Sequence, residues 1–199
     1  MPKKRYAAAI PVSHNPNYAT QLVGQWLATK APVIGVLDIL PPELGDEKYL
    51  VFGVGSKSQI NGRLFDFGDS TAASIECFNV FHKLQGHGIG ERLFKGYLAA
   101  CRDNDATGLW SDSVSNMAIG LRAKILGAEA LHFYDNEYPD RGFLPYTIDQ
   151  ARATNSRIDE LDRVDSERPA PQGHIGIYVD LTILDMAGWE APELIRIRD

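Results

Sequence analysis

The chain has 199 residues, with 20 Lys and Arg against 26 Asp and Glu, a formal net charge of −6 at pH 7. Hydrophobic residues make up 44% and charged residues 23%, which excludes a disordered tail, a collagen-like fibre and a coiled coil. No window approaches the roughly eighteen uninterrupted apolar residues of a membrane span, and no apolar stretch follows Met1-Pro2-Lys3-Lys4-Arg5 as in a signal peptide, so a single cytoplasmic domain is expected.

Taken in chain order, Tyr6 to Val12 reads as a strand. Asn15-Pro16 then starts a helix as N-cap and first helical residue, Tyr18, Ala19, Leu22, Val23, Trp26 and Leu27 fall at helical spacing, and Pro32 closes it. Val33 to Leu40 is a short strand or packed loop ending at Pro41-Pro42. Tyr49 to Val54 is an apolar strand broken by Gly53 and Gly55. Asn61-Gly62 carries a two-residue hairpin signal ahead of a strand from Arg63 to Phe67. Ala73 to Phe81, with Ile75, Cys77, Phe78, Val80 and Phe81, is apolar on both faces, as a central strand would be.

The second half alternates. Glu91 to Asn104 is amphipathic, with Leu93, Phe94, Tyr97, Leu98 and Cys101 on one stripe. Thr107 to Asp112 is a strand. Ser115 to Leu126 is a helix with Met117, Ala118, Leu121 and Ile125 inward and Gly127 closing it. Ala130 to Tyr134 is another strand, and Ile175, Ile177, Val179, Leu181 and Ile183 alternate across a last one, His174 to Leu184. Between these two, Asn136 to Gly173 forms an insertion with a helix somewhere in Tyr146 to Val164 and a stiff exit at Pro169-Ala170-Pro171. The order is β-α-β-β-β-α-β-α-β-(insertion)-β, a mixed α+β domain around a central sheet.

Two cysteines, Cys77 and Cys101, have no metal-ligand spacing and read as reduced, packed thiols, and no His/Asp/Glu cluster suggests a metal. The acidic balance argues against a grip on nucleic-acid phosphates, which needs clustered Lys and Arg.

The informative segment is Phe78-Asn79-Val80-Phe81-His82-Lys83-Leu84-Gln85-Gly86-His87-Gly88-Ile89-Gly90. A buried strand ends, three glycines follow at alternate positions, and a helix starts at once. Such glycines let the backbone turn tightly, and the helix start offers unpaired N–H groups and a positive dipole end, together a cradle for a diphosphate. The P-loop pattern is absent, and Gly86-x-Gly88-x-Gly90 is one residue short of the dinucleotide pattern.

What fits is Gln-x-x-Gly-x-Gly, read from Gln85 through Gly88 to Gly90. With Val80 before it and an amphipathic helix after it, this segment resembles the signature of the GNAT superfamily, the general N-acetyltransferases. Trp110 to Asp112, Asn116 and Leu126-Gly127 resemble the family's second signature, and the two together cover residues 73 to 135. The resemblance implies a mostly antiparallel central sheet flanked by helices and splayed at the central strand. It implies acetyl-CoA or another acyl-CoA as donor. The pyrophosphate would lie on Gln85, Gly86, His87, Gly88, Ile89 and Gly90, the pantetheine along the backbone at Phe78 and Val80, and Asn116 would mark the second signature. The implied activity is acyl transfer to the amine of a small molecule or peptide, directly within a ternary complex.

Such a transfer needs a base for the ammonium, donors for the oxyanion and a fate for the thiolate. Glu76, which strict alternation puts on one face with Phe78 and Val80, is a candidate base, since a carboxylate in so apolar a strand invites a raised pKa; the alternative is a Glu at the sheet edge or paired with an Arg. Asp112, at the end of the next strand, is the other candidate base, unless it caps the following helix. The Tyr that the family places seven residues beyond the Asn falls here on Ala123, so the acid is Tyr97, Tyr134 or Tyr138, with Tyr134 preferred, or a water, unless the thiolate leaves unassisted. Rival readings are a catalytically weak CoA-binding or interaction module that docks a partner on residues 136–173, and a transferase of the same fold with another donor. The insertion itself reads as a solvated helix or as a lid for a cationic acceptor. Edge strands make a homodimer a reasonable expectation.

Overall fold

The structure, a computed structural model, describes residues 34–39, 48–53, 58–80, 85–112, 114–136, 141–164, 175–191 and 194–196. Its elements are β1 (Ile34–Ile39), β2 (Lys48–Gly53), β3 (Gln59–Phe67), β4 (Ser70–Ile75), β5 (Cys77–Asn79), α1 (Ile89–Asp103), β6 (Ala106–Ser111), α2 (Asn116–Leu126), β7 (His132–Asp135), β8 (Phe143–Leu144), α3 (Ile148–Val164), β9 (Ile175–Asp180) and β10 (Leu194–Arg196). The strand expected at 6–12 and the helix expected at 15–32 lie outside the described residues. The fold is mixed α/β with mostly antiparallel pairing. No helix among the described residues is long and apolar enough to cross a membrane. The chain divides into two compact units, Met1–Ala106 with Met186–Asp199, and Thr107–Asp185.

In the first unit β1, β2, β3 and β4 pair antiparallel in succession, and β10, which sequence periodicity did not signal, adds to β1 in parallel. Leu50, Phe52, Ile60, Leu64 and Ala73 are buried on the strands, and Leu93, Phe94, Tyr97, Leu98 and Cys101, the stripe expected from the sequence, are buried on α1 together with Ile89. Tyr97 meets Phe52 edge-on at 5.7 Å, and Phe94 stacks on Phe78 at 5.9 Å. Each buried Leu, Ile or Phe among them contributes about 1.5–3 kcal/mol of transfer free energy. Arg102 near the end of α1 donates to the carbonyls of Met186 and Trp189, and Lys95 lies over the Trp189 ring, so the segment after β9 is strapped to this helix.

Two expectations for this unit are corrected. Asn61-Gly62 is not a turn; both residues lie inside β3, and the hairpin closes at Gly68-Asp69 with Phe67 opposite Ser70. Gly62 is there because the backbone is crowded: a Cβ would fall 1.7 Å from the Ser74 carbonyl oxygen and 2.6 Å from the Tyr97 hydroxyl. The expected central strand from Ala73 to Phe81 is also interrupted. Leu64 pairs with Ala73 and Asn61 with Cys77, so two residues of β3, Gly62 and Arg63, face three, Ser74, Ile75 and Glu76. This is a β-bulge, held by Glu76 N–H to the Asn61 carbonyl at 2.9 Å and by the Tyr97 hydroxyl donating to the Ser74 carbonyl at 2.6 Å.

In the second unit β9 lies between β6 and β7, and β8, a strand the sequence reading left inside the insertion, pairs with β7. One sheet face carries the buried Leu109, Ser111, Phe133, Ile175, Ile177 and Val179. The Ser115 hydroxyl caps α2 by accepting from Ala118 N–H, and Gly127 ends it at φ 86°. Of the inward set expected for α2, Met117 is 65% exposed and Ala118, Leu121 and Ile125 are half-buried, while Ile119 and Arg122, which were not expected, are buried. Small and apolar residues occur all round this helix, so sequence gave no preferred stripe, and the Arg122 guanidinium reaching the Ser111 hydroxyl at 3.0 Å sets the orientation.

Residues 141–156 are mostly exposed, but α3 is fixed to its neighbours. Thr147 and Gln150 form a reciprocal capping box at the start of α3, at 2.8 and 3.3 Å. Ala151 and Asn155 are buried. The Asn155 amide donates to the Val114 carbonyl and accepts from Ile175 N–H, joining α3 to both neighbouring segments. β9 stops at Asp180, not Leu184, because the Asp180 carboxylate accepts from Thr182 N–H at 2.9 Å and turns the chain into a 3-10 helix, Leu181–Ile183.

Candidate functional site

The glycine turn lies in the first unit. Gln85 to Gly88 are exposed, Gly86 and Gly88 have φ of 79° and 77°, and Gly88 is the N-cap of α1. This left-handed backbone is what glycine supplies, since a Cβ at either position would meet nothing within 4 Å. Gly88 offers no side chain to cap the helix, and the first intrahelical bond runs from Arg92 N–H to the Gly88 carbonyl. The first turn of α1 therefore presents backbone N–H groups and the positive dipole end without a capping oxygen. Gln85 donates its side-chain amide to the Val80 carbonyl at 3.1 Å, tying the strand end to the turn. Ile89 is buried, so only its backbone can serve a ligand; His87 is exposed on the turn and Gly90 half-buried in α1.

Phe78 and Glu76 do not share a face, because the bulge intervenes. Phe78 pairs with the buried Ile60 and stacks on Phe94 of α1. Glu76 turns to the other side, where Arg63 Nε binds Oε1 and the Tyr49 hydroxyl donates to Oε2 at 2.9 Å. Burial, reinforced by the Glu76 hydrogen bond and charge, pushes the Tyr49 phenol up to about 12, so it stays a donor. Neither partner was foreseen by residue; the register that sets Tyr49 opposite Arg63 was the available signal.

In the second unit the Tyr134 hydroxyl donates to Asp112 Oδ1. Ser115 caps α2, so Asp112 is not spent as a helix cap. Burial first, then the hydrogen bond to Asp112 and its charge, hold the Tyr134 phenol well above its ordinary value, with Arg122 pulling the other way. Asn116 donates its amide to the Ser156 hydroxyl at 2.6 Å, its backbone carbonyl accepts from Arg152, and its Oδ1 is buried without a hydrogen-bond partner. Ser156 and Arg152 belong to the insertion, whose packing on α2 the sequence did not signal. Among the described residues no group of His, Cys, Asp and Glu could hold a metal ion.

No family model matches the chain, and no curated protein matches it. Among solved structures it is similar to an N-acetylglutamate synthase from Neisseria gonorrhoeae complexed with coenzyme A and N-acetyl-glutamate, at 14% identity and a TM-score of 0.37. The match covers 85% of this chain and 33% of that one, so the chain spans about a third of its length.

Proposed function

We propose that the chain is an acyl-CoA-dependent N-acyltransferase, with acetyl-CoA as donor and the amine of a small molecule or peptide as acceptor. The observation that carries the reading is the turn in which two left-handed glycines deliver a strand end to an uncapped helix N-terminus. Gln85 to Gly90 hold the pyrophosphate through backbone N–H groups, with Gln85 fixing the turn. The backbone at Phe78 and Val80 pairs with pantetheine, Phe78 being anchored through its ring. Asn116 orients the start of α2. The whole chain acts as one acyltransferase domain, with residues 136–173 as an insertion that buttresses α2.

Asp112 is the better base of the two, since both Glu76 oxygens are engaged by Arg63 and Tyr49. Asp112 takes a proton from the acceptor ammonium, the amine nitrogen attacks the thioester carbonyl carbon, and the C–S bond breaks. The thiolate takes the Tyr134 proton, and Tyr134 recovers one from Asp112. The adduct nitrogen loses its second proton to solvent as the amide forms, and the pair returns to its starting state. A CoA-binding module without turnover is the second reading, favoured by Ala123 at the position where the resembled family has its acid.

Calorimetric titration with acetyl-CoA, free CoA, NAD and ATP tests the cradle. Micromolar binding of the CoA species alone, lost in Gly88→Glu, is expected. An unchanged affinity in the folded variant overturns the assignment. With coenzyme bound, Asp112→Asn is expected to cut turnover about 100-fold or more on an accepted amine; tight binding with no turnover on any amine selects the second reading.

A further inference from the structure

The face of the second unit's sheet opposite its buried one is paved with aromatic rings. Alternation along β6, β7 and β9 puts Trp110, His132, Tyr134 and Tyr178 on it, and Phe143 of β8 joins them. Trp110, Tyr178 and His132 stand in one cross-strand row. Tyr178 lies 4.5 Å from Trp110 and 5.4 Å from Phe143, with which it is stacked, and Tyr134 meets Trp110 edge-on at 5.3 Å. The rings lie down on glycine: a Cβ on Gly108 would come within 2.7 Å of the Tyr178 ring, and one on Gly176 within 2.2 Å of the Tyr134 ring. Trp110, His132 and Tyr178 stay half-buried and Phe143 is 50% exposed, so part of this aromatic layer is open to solvent.

Charge selects what it takes. The strand pattern also brings Asp112 and Asp180 to this face, Asp112 bonded to Tyr134 and Asp180 close enough to Tyr178 to raise its phenol, after burial. No Lys or Arg of β6, β7 or β9 stands on it. Negative ring faces edged by carboxylates repel phosphates and attract cations. We infer that this face binds an organic cation, an alkylammonium or guanidinium whose flat or apolar body lies on Trp110, Tyr178 and Phe143 while its charge turns to Asp112. Resting on the reading above, an alkylammonium bound here is the acceptor, and Asp112 receives its proton.

Trp110 fluorescence in a Trp26→Phe/Trp189→Phe background, titrated with phenethylamine, agmatine and neutral 2-phenylethanol, tests the inference. Saturable quenching by both cations is expected, with the alcohol at least about tenfold weaker. Phe143→Ser, at an exposed position that leaves the fold intact, and Asp112→Asn are each expected to weaken the cations severalfold. Equal affinity for alcohol and amine, or no saturation by either cation, overturns it. Acetyl-CoA calorimetry on the same protein separates the two readings. Coenzyme binding without cation binding defeats this inference alone, and cation binding without coenzyme binding leaves the face standing and removes its role in transfer.

Discussion

Gly62 and Gly88 are both glycines, but for different physical reasons, and substitution separates them. At Gly88 a Cβ meets open space and only the left-handed backbone objects, so Gly88→Ala should cost about 1 kcal/mol. At Gly62 the Cβ runs into the Ser74 carbonyl, a backbone atom that cannot swing away, and into the hydroxyl holding the bulge. Gly62→Ala should therefore cost more than about 3 kcal/mol, or prevent folding. Urea unfolding of both variants checks this; equal midpoints would show that the crowding at Gly62 relaxes.

At the scale of elements, α3 was legible as a helix but not as a packed one. Its charges pointed to solvent, whereas Ala151 and Asn155 are buried and Asn155 satisfies one backbone carbonyl and one N–H from two other segments. Asn155→Ala leaves both groups unpaired and should cost about 3 kcal/mol by denaturant melts; a loss below about 0.5 kcal/mol would mean water takes over both bonds. The same distinction runs through the rest of the reading. Periodicity located β2, α1, β6, β7 and β9 because each has its own hydrophobic pattern, and α2 was legible from its ends, Ser115 and Gly127. It missed β8 and β10, of two and three residues, which exist only through pairing. The sequence singled out the glycine turn, a local motif, and proposed Asp112 and Tyr134, but did not show the bond between them, nor the Arg63 and Tyr49 that engage Glu76. Those partners lie 13 and 27 positions from Glu76, and register alone brings them together.

For the molecule as a whole, alkaline pH is the informative stress. Tyr49, Tyr97, Tyr134 and Tyr178 all have phenols raised in the fold, chiefly by burial. Above the unfolded value of about 10, the unfolded chain loses phenolic protons that the folded chain keeps, so stability falls as pH rises. Arg122 opposes this, because burial pushes its guanidinium down to about 10 and the folded state then sheds a proton the unfolded chain retains. With Tyr49, Tyr97 and Tyr134, and the buried Cys101 thiol, outweighing one Arg, a net loss of stability is expected as pH rises from 10 to 12. Guanidinium melts across that range test it: a flat profile would mean the phenols ionise without unfolding, and Tyr97→Phe should reduce the slope.

The bulge at Ser74 to Glu76 also works as a parity switch in the count of residues. Before it, odd-numbered Ala73 points into the core; after it, even-numbered Phe78 does. The same residues in regular alternation, without the bulge, would run in the opposite phase, sending Cys77 inward on the side of α1 and Phe78 outward on the side of Arg63 and Tyr49. The strand feeding the glycine turn would then reach it inside out, with every residue type unchanged. One supernumerary residue thus decides which side of the sheet the ring at position 78 belongs to.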